Sequence, residues 1–333
     1  MKLLRKILFP IGFIYWFVTF IRNVLYDINL FKSKSYNVPI IAIGNLSAGG
    51  TGKTPHTEYL IRLLKDKHKI AVLSRGYKRS TKGYVLAHEA ISAAELGDES
   101  YQIHAKFPDV SVAVCENRQI GIENLIAFIN PTVILLDDAF QHRKVKANFY
   151  ILLTAYDDLF SNDFILPFGN LRESAIGKKR ANLVIVTKCP AALSSHEQDN
   201  VKQKLKVNVP VFFTSIDYDS EVFGSEKARN VSEVILEEKV IVAGIAKPKY
   251  FIDYLNSGKD NVLIYPDHHN FTAQEILALN VLAEEKMLVT TEKDFVRLNG
   301  KVKSDKLFYL PMKSKFLNSE IEFQNLINNV ITS

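Results

Sequence analysis

Hydrophobic residues in this chain gather into short continuous runs separated by mixed stretches. VPIIAIGNL (38–46), KIAVLSRG (69–76), VSVAVCE (110–116), TVILLDD (132–138), FYILLTAY (149–156) and NLVIVTK (182–188) are apolar and rich in β-branched residues. Runs of this kind read as strands buried on both faces. Between them, TPHTEYLIRLLKDK (54–67) carries apolar residues at helical spacing, and 98–106 also reads as helix. The alternation predicts an α/β fold with a mostly parallel sheet and helices on both faces. The rhythm breaks at about 205–235, where VPVFFTSIDY precedes a polar stretch. A second α/β pattern then follows in 239–255, 262–271, 272–286, 288–298 and 306–316. The expected organisation is an N-terminal helix (1–30), a larger domain (31–205), a connection (206–235) and a smaller C-terminal α/β domain (236–333).

The first run differs from the others. ILFPIGFIYWFVTFI (7–21) is apolar all round, with Arg5 and Lys6 before it and Arg22 after it. Fifteen helical residues span roughly 22 Å, whereas a bilayer core needs about 20 apolar residues. No small-residue cleavage site follows. Tyr15, Trp16 and Tyr26 suit a headgroup region and the flanking cations suit anionic lipid. The segment is expected to dip into a membrane surface without crossing it; the alternative is a helix buried against the main domain.

Composition narrows the partners. The chain has 333 residues, 47% hydrophobic and 23% charged, with a net charge of +6. That balance favours an anionic partner. Without an RNA-binding aromatic signature, zinc finger or long arginine run, nucleic acid ranks below a phosphorylated substrate or an anionic membrane. The two cysteines, Cys115 and Cys189, are far apart and fit neither a disulfide framework nor a zinc site. No obligate protein partner is evident.

The strongest chemical signal is Ser47-Ala48-Gly49-Gly50-Thr51-Gly52-Lys53-Thr54. It follows a predicted strand and opens a predicted helix, the setting a phosphate-binding loop needs. Its glycines let backbone N–H groups turn toward phosphate oxygens at a helix N-terminus. Lys53 can neutralise β/γ-phosphate charge, and the Thr54 hydroxyl can ligate Mg²⁺. Ser47 stands where the strict pattern has glycine. The strand 133–136 ends in Asp137 and Asp138, carboxylates suited to Mg²⁺ directly or through water. The fold class is therefore P-loop NTPase-like, with ATP and Mg²⁺ as expected cofactors.

Further short motifs surround these two: LSRGYKR (73–79), GDES (97–100), ENR (116–118), DDAFQHR (137–143), GNLRE (169–173), PDHHNF (266–271) and TEKD (291–294). With GNLSAGGTGKTP (44–55), their order and spacing resemble the tetraacyldisaccharide 4′-kinase family over nearly the whole chain. The Ser47 variant resembles that family's own form of the loop. The resemblance implies ATP- and Mg²⁺-dependent phosphorylation of the 4′-hydroxyl of a lipid-linked disaccharide 1-phosphate, in lipid A biosynthesis. It also implies peripheral or monotopic attachment to the cytoplasmic face of a bacterial inner membrane.

By the same resemblance Asp98 is the candidate base for the sugar hydroxyl, and His268 its partner from the second domain. Read from residues alone, Asp98 suits a helix N-cap and His268 a turn. Asp138 and Glu99 are metal or positioning candidates. Arg118 and Arg172, with neighbours Asn117 and Glu173, are candidate contacts to phosphate or sugar, the alternative being surface salt bridges. Arg75 opens a basic stretch, with Lys78 and Arg79, suited to the lipid phosphate, the alternative being a solvated surface, and Gln141 and His142 follow the acidic strand end. A GTPase switch would need an Asn/Thr-Lys-x-Asp element; Thr187-Lys188-Cys189-Pro190 lacks the aspartate. A non-catalytic adaptor would bind ATP without turnover.

Overall fold

The computed structural model describes residues 9–225, 227–267, 269–302 and 305–332. The first sheet contains β1 (Ile40–Asn45), β2 (Ile70–Ser74), β3 (Val85–Leu86), β4 (Ser111–Val114), β5 (Val133–Leu136), β6 (Phe149–Ala155), β7 (Leu183–Cys189) and β8 (Val211–Tyr218). The second contains β9 (Glu221–Phe223), β10 (Ala228–Asn230), β11 (Lys239–Ala243), β12 (Asn261–Ile264), β13 (Met287–Thr291) and β14 (Leu307–Leu310). The chain then returns to the first sheet as β15 (Met312–Phe316).

Strand order is β15-β8-β7-β6-β1-β5-β2-β4-β3 in the first sheet and β10-β9-β14-β13-β11-β12 in the second. The centre of each is parallel, and the antiparallel pairs (β15–β8, β3–β4, β10–β9 and β9–β14) lie toward the edges. Alternation of side chains across the sheet explains the unbroken apolar runs. Ile41 and Ile43 face one core with Leu60 and Leu64 of helix Lys53–Leu64. Ile40 and Ala42 face the opposite core with Ile122 and Leu125 of helix Arg118–Phe128.

The structure divides the chain differently from the expected boundaries. Within the stretch read as strand pairing and a connection, residues 211–218 are a full strand of the first sheet. Residues 312–332 also belong to that body: β15 pairs with β8, and Phe316, Phe323 and Ile327 enter the first core beside Phe212. The second body is thus the segment from Glu221 to Leu310. It is joined at two adjacent points, where the Asp219 N–H donates to the Pro311 carbonyl at 3.0 Å.

Inside the second body, Lys239 and Asp260 are both fully buried and bonded at 3.0 Å. Lys239 Nζ also donates to the carbonyls of Ile235 and Glu237. Removing one member of such a pair strands the other charge away from water. Asp260→Ala is therefore expected to destabilise this body by about 3 kcal/mol, read as a lower denaturant midpoint. An unchanged midpoint would contradict the burial assigned to the pair.

Helix Phe9–Asp27 lies on the first body, and Tyr26 is buried. Its other stripe is open: Phe13 is 56% exposed, Phe17 48% and Val18 58%. Among the described residues no helix is long and apolar enough to cross a membrane.

Candidate active site

The site forms at the carboxyl ends of β1, β2 and β5, where a parallel sheet leaves its crevice. The phosphate loop leaves β1 after Asn45 and enters helix Lys53–Leu64. Gly49 (φ 120°) and Gly52 (φ 84°) hold left-handed backbone that a side chain would strain. GNLRE runs alongside: the Ala48 N–H donates to the Asn170 carbonyl at 2.6 Å and the Arg172 N–H to the Leu46 carbonyl at 2.7 Å. From beneath, the Thr187 hydroxyl donates to the Thr51 carbonyl at 2.8 Å. The Thr51 hydroxyl is buried without a protein partner among the described residues, so it is available to a ligand in the loop.

His56 supports the same turn. Its Nδ1 lies 2.7 Å from the Gly52 carbonyl and its Nε2 3.1 Å from the Thr214 hydroxyl. Burial pushes the imidazole down to about 4, so it is neutral at pH 7. These partners assign Nδ1–H as the donor to Gly52 and Nε2 as the acceptor from Thr214.

The two carboxylates after β5 have opposite environments. Asp137 is buried and accepts from the Thr57 hydroxyl at 3.1 Å. Burial first, then the charges of Glu99 and Asp138, raise it to about 7. Asp138 sits in left-handed backbone at φ 48°. Arg172 Nη1 donates to both its oxygens, at 2.9 and 3.0 Å, and Lys53 Nζ lies 3.7 Å from Oδ1. Burial opposes ionisation of Asp138, but Lys53 and Arg172 outweigh it and hold the carboxyl below its ordinary range. Lys53 Nζ also reaches Asn45 Oδ1 at 3.5 Å.

Glu99 and Asp138 thus each repel the Asp137 carboxylate, and a divalent cation would relieve that repulsion. Among the described residues no group of three or more His, Cys, Asp or Glu side chains is arranged to hold a metal. Magnesium fits this donor set, since it uses one or two carboxylates and completes its shell with water and phosphate oxygens.

Asp98 opens helix Asp98–Lys106, directly before Glu99. Gly97 (φ 87°) takes the N-cap position, leaving the Asp98 carboxylate for other partners. Arg297 from the second body donates to Asp98 Oδ2 through Nε, at 3.0 Å, and through Nη2. Its Nη1 is held at 3.1 Å by Asp294, which is fully buried and accepts from the Gly244 N–H and the Thr291 hydroxyl. The TEKD segment therefore caps helix Glu292–Leu298 and aims an arginine at Asp98. Lys106, at the other end of helix Asp98–Lys106, joins the two bodies again, bonded to Glu292 at 2.6 Å and Glu58 at 2.8 Å. Lys293 lies 3.5 Å from Glu99. His268 lies outside the described residues. Its neighbour His269 is bonded to Glu275 at 2.9 Å and stacked on Tyr265.

The remaining predicted residues divide in two. Arg118 is 3% exposed, donates Nη1 to the Cys115 carbonyl, and keeps Nε and Nη2 without a protein partner among the described residues. Burial lowers its guanidinium to about 10, with Asp137, Asp138 and Arg75 as its charged neighbours. His142 is pushed down to about 4 by burial and then by Arg118 and Arg75. Arg75 itself is exposed. Asn117 and Glu173, expected to meet substrate, are instead engaged in structure. Asn117 caps helix Arg118–Phe128 through the Gln119 N–H at 3.1 Å. Glu173 is 3% exposed, and Gln141, Arg180 and Asn23 all donate to it. Sequence reasoning missed His56, four residues after Gly52 and so one turn above it, and Arg297, three after Asp294.

A family profile described as "Tetraacyldisaccharide-1-P 4'-kinase" matches residues 4–332. A protein named tetraacyldisaccharide 4′-kinase from Flavobacterium psychrophilum is 54% identical, covering 100% of this chain and 98% of its own length. Its namesake from Bacteroides thetaiotaomicron is 43% identical over 95% of this chain and 90% of its own. The crystal structure of LpxK from Aquifex aeolicus in complex with ATP superposes with a TM-score of 0.80 at 30% identity, covering 98% of this chain and 99% of that one.

Proposed function

The chain belongs to the tetraacyldisaccharide-1-phosphate 4′-kinase family, and from that premise we propose how its residues carry the reaction. The activity is ATP- and Mg²⁺-dependent phosphorylation of the 4′-hydroxyl of tetraacyldisaccharide 1-phosphate, a step of lipid A biosynthesis. In it the hydroxyl oxygen forms a bond to the γ-phosphorus, the bond to the β-phosphate oxygen breaks, ADP leaves, and the hydroxyl proton needs an acceptor.

Asp98 is that acceptor in our reading. The observation that carries it is a carboxylate held by Arg297 at the start of helix Asp98–Lys106, next to Glu99, whose charge is felt by Asp137. The loop N–H groups, Lys53 and the Thr51 hydroxyl hold phosphate oxygens. Thr54, Asp137 and Asp138, with Glu99 as a further candidate, would hold Mg²⁺, which would supply neutralisation of charge on the transferring group. Arg172 keeps Asp138 ionised and turned inward. Arg118, whose Nε and Nη2 have no protein partner among the described residues, and Arg75 offer forks to phosphate or sugar oxygens. Gln141 and neutral His142 line the loop after the acidic strand.

Purified protein with Mg²⁺, labelled ATP and tetraacyldisaccharide 1-phosphate in detergent tests the assignment. Label is expected on the lipid. Hydrolysis of ATP with the lipid unlabelled would remove the acceptor assignment.

The open stripe of helix Phe9–Asp27 serves, in the same reading, as a surface for anionic lipid. Exposed aromatic and aliphatic side chains there gain from burial among acyl chains. A Phe13→Ser, Phe17→Ser double variant is expected to lose about tenfold or more in binding to anionic vesicles, since each buried phenyl contributes roughly 1.5–3 kcal/mol. Co-sedimentation equal to that of the unaltered protein would end the lipid-surface reading.

A further inference from the structure

The N-terminal helix touches the site at three places that attachment to a membrane does not require. The Tyr15 hydroxyl donates to the Arg172 carbonyl at 2.7 Å. Arg22 Nη2 donates to the Gln141 carbonyl at 2.8 Å. Asn23 Nδ2 donates to Glu173 Oε2 at 2.8 Å. The site side answers: Arg143 donates to the Asn23 carbonyl at 2.8 Å and to Asp27 at 2.7 Å. Tyr15, Arg22 and Tyr26 recur at helical spacing near Asn23 on the side that touches the site, with Tyr26 buried and Tyr15 exposed at its margin. Phe13, Phe17 and Val18 are left on the open stripe.

Each partner is one step from a phosphate-handling group. Arg172 grips Asp138 through its side chain. Gln141 Nε2 donates to the Asn45 carbonyl at 2.8 Å and to Glu173 Oε1 at 3.0 Å. Asn45 in turn faces Lys53. Glu173 is the hub of this network, a buried carboxylate whose other charged donor is Arg180 at 2.7 Å. Buried polar networks behave as units, so an unpaired oxygen at one node reorients its neighbours.

We propose that Asn23 and Tyr15 are positioning residues of the phosphoryl-transfer site, making the N-terminal helix a wall of the active site as well as a lipid-facing surface. The inference rests on the assignment of Arg172 and Asp138 to phosphate and metal handling. Asn23 fixes the Glu173 carboxylate, which fixes Gln141 against the base of the phosphate loop. Tyr15 pins the backbone that delivers the Arg172 guanidinium. A helix that served as an anchor alone would alter the lipid concentration the enzyme meets and leave turnover at saturation intact.

The experiment uses the full chain in detergent micelles with saturating acceptor lipid. It compares Asn23→Leu, Tyr15→Phe and, as a reference, Arg172→Met. Measured are kcat, KM for ATP, thermal midpoint, and co-sedimentation with phosphatidylglycerol-containing vesicles. Loss of a hydrogen bond to a buried carboxylate predicts a fall in kcat of about tenfold for Asn23→Leu, and loss of a neutral bond to a backbone carbonyl one of about threefold for Tyr15→Phe. Vesicle binding is expected to stay within about twofold of the unaltered protein, because Asn23 is half-buried and Tyr15→Phe keeps the exposed ring and removes only its hydroxyl. Wild-type kcat in both variants, with Arg172→Met impaired, overturns this inference and spares the site assignment. Wild-type kcat in Arg172→Met as well would overturn the assignment on which it rests. If Asn23→Leu does not fold, Tyr15→Phe, which removes a single oxygen atom, decides the matter.

Discussion

Replacing Lys53 with alanine is expected to reduce phosphoryl transfer by about a thousandfold or more, the scale seen when a principal charge-stabilising donor is removed from a preorganised site. Lys53 stands where its ammonium can reach both Asn45 Oδ1, at 3.5 Å, and Asp138 Oδ1, at 3.7 Å. It begins the helix that leaves the left-handed turn at Gly52, so its stem follows the direction of the loop N–H groups. Without it, Asp138 depends on Arg172 and the more distant charge of Arg118, and the repulsion that already raises Asp137 goes less compensated. The fall should therefore appear in single-turnover rate at saturating ATP and exceed any loss in nucleotide affinity. A variant that transfers phosphate at a tenth of the normal rate or better would show that the loop backbone does the work assigned to the lysine.

The second large effect concerns Asp98. Asp98→Asn keeps the shape but removes the proton acceptor and its charge. A general base contributes about 10²–10⁴-fold, and a fall of that size in kcat is expected with KM for ATP little changed. The asparagine also faces Arg297, whose fork loses an anionic partner. A thermal scan should accompany the kinetics so that loosening between the two bodies is not read as chemistry. Arg297→Met makes the complementary loss on the other side of the same pair. Full turnover in a folded Asp98→Asn protein would move the base elsewhere in the crevice.

The first of these groups was easier to find in the sequence than the second, for a physical reason. The phosphate loop is local: eight consecutive residues between a strand and a helix determine its shape, and the acidic ends of β5 follow from one apolar run. Strands buried on both faces announce themselves as β1, β5, β6 and β7 do. The contact between Asp98 and Arg297 spans 199 positions, and no periodicity in either segment encodes it. β15 escaped notice as a strand of the first sheet because MKSKF is largely half-exposed at an antiparallel edge. Adjacent residues also diverged beyond what pattern can separate. Arg172 reaches Asp138, whereas Glu173 turns into a buried network. His56 looked like an ordinary helix residue until the Gly52 carbonyl was seen one turn below it.

The two crossings between the bodies carry a further meaning. Tyr218 and Met312 are directly paired across β8 and β15, so everything from Asp219 to Pro311 hangs from what would otherwise be the end of a β-hairpin. Two residues suffice to close such a turn, and loop tips are where chains accept inserts. In genealogical terms the second body is a guest lodged in a host that is already a complete nucleotide-binding sheet. Its arginine reaches back across the doorway to the host's own aspartate, and the acceptor half of the chemistry came to depend on the lodger.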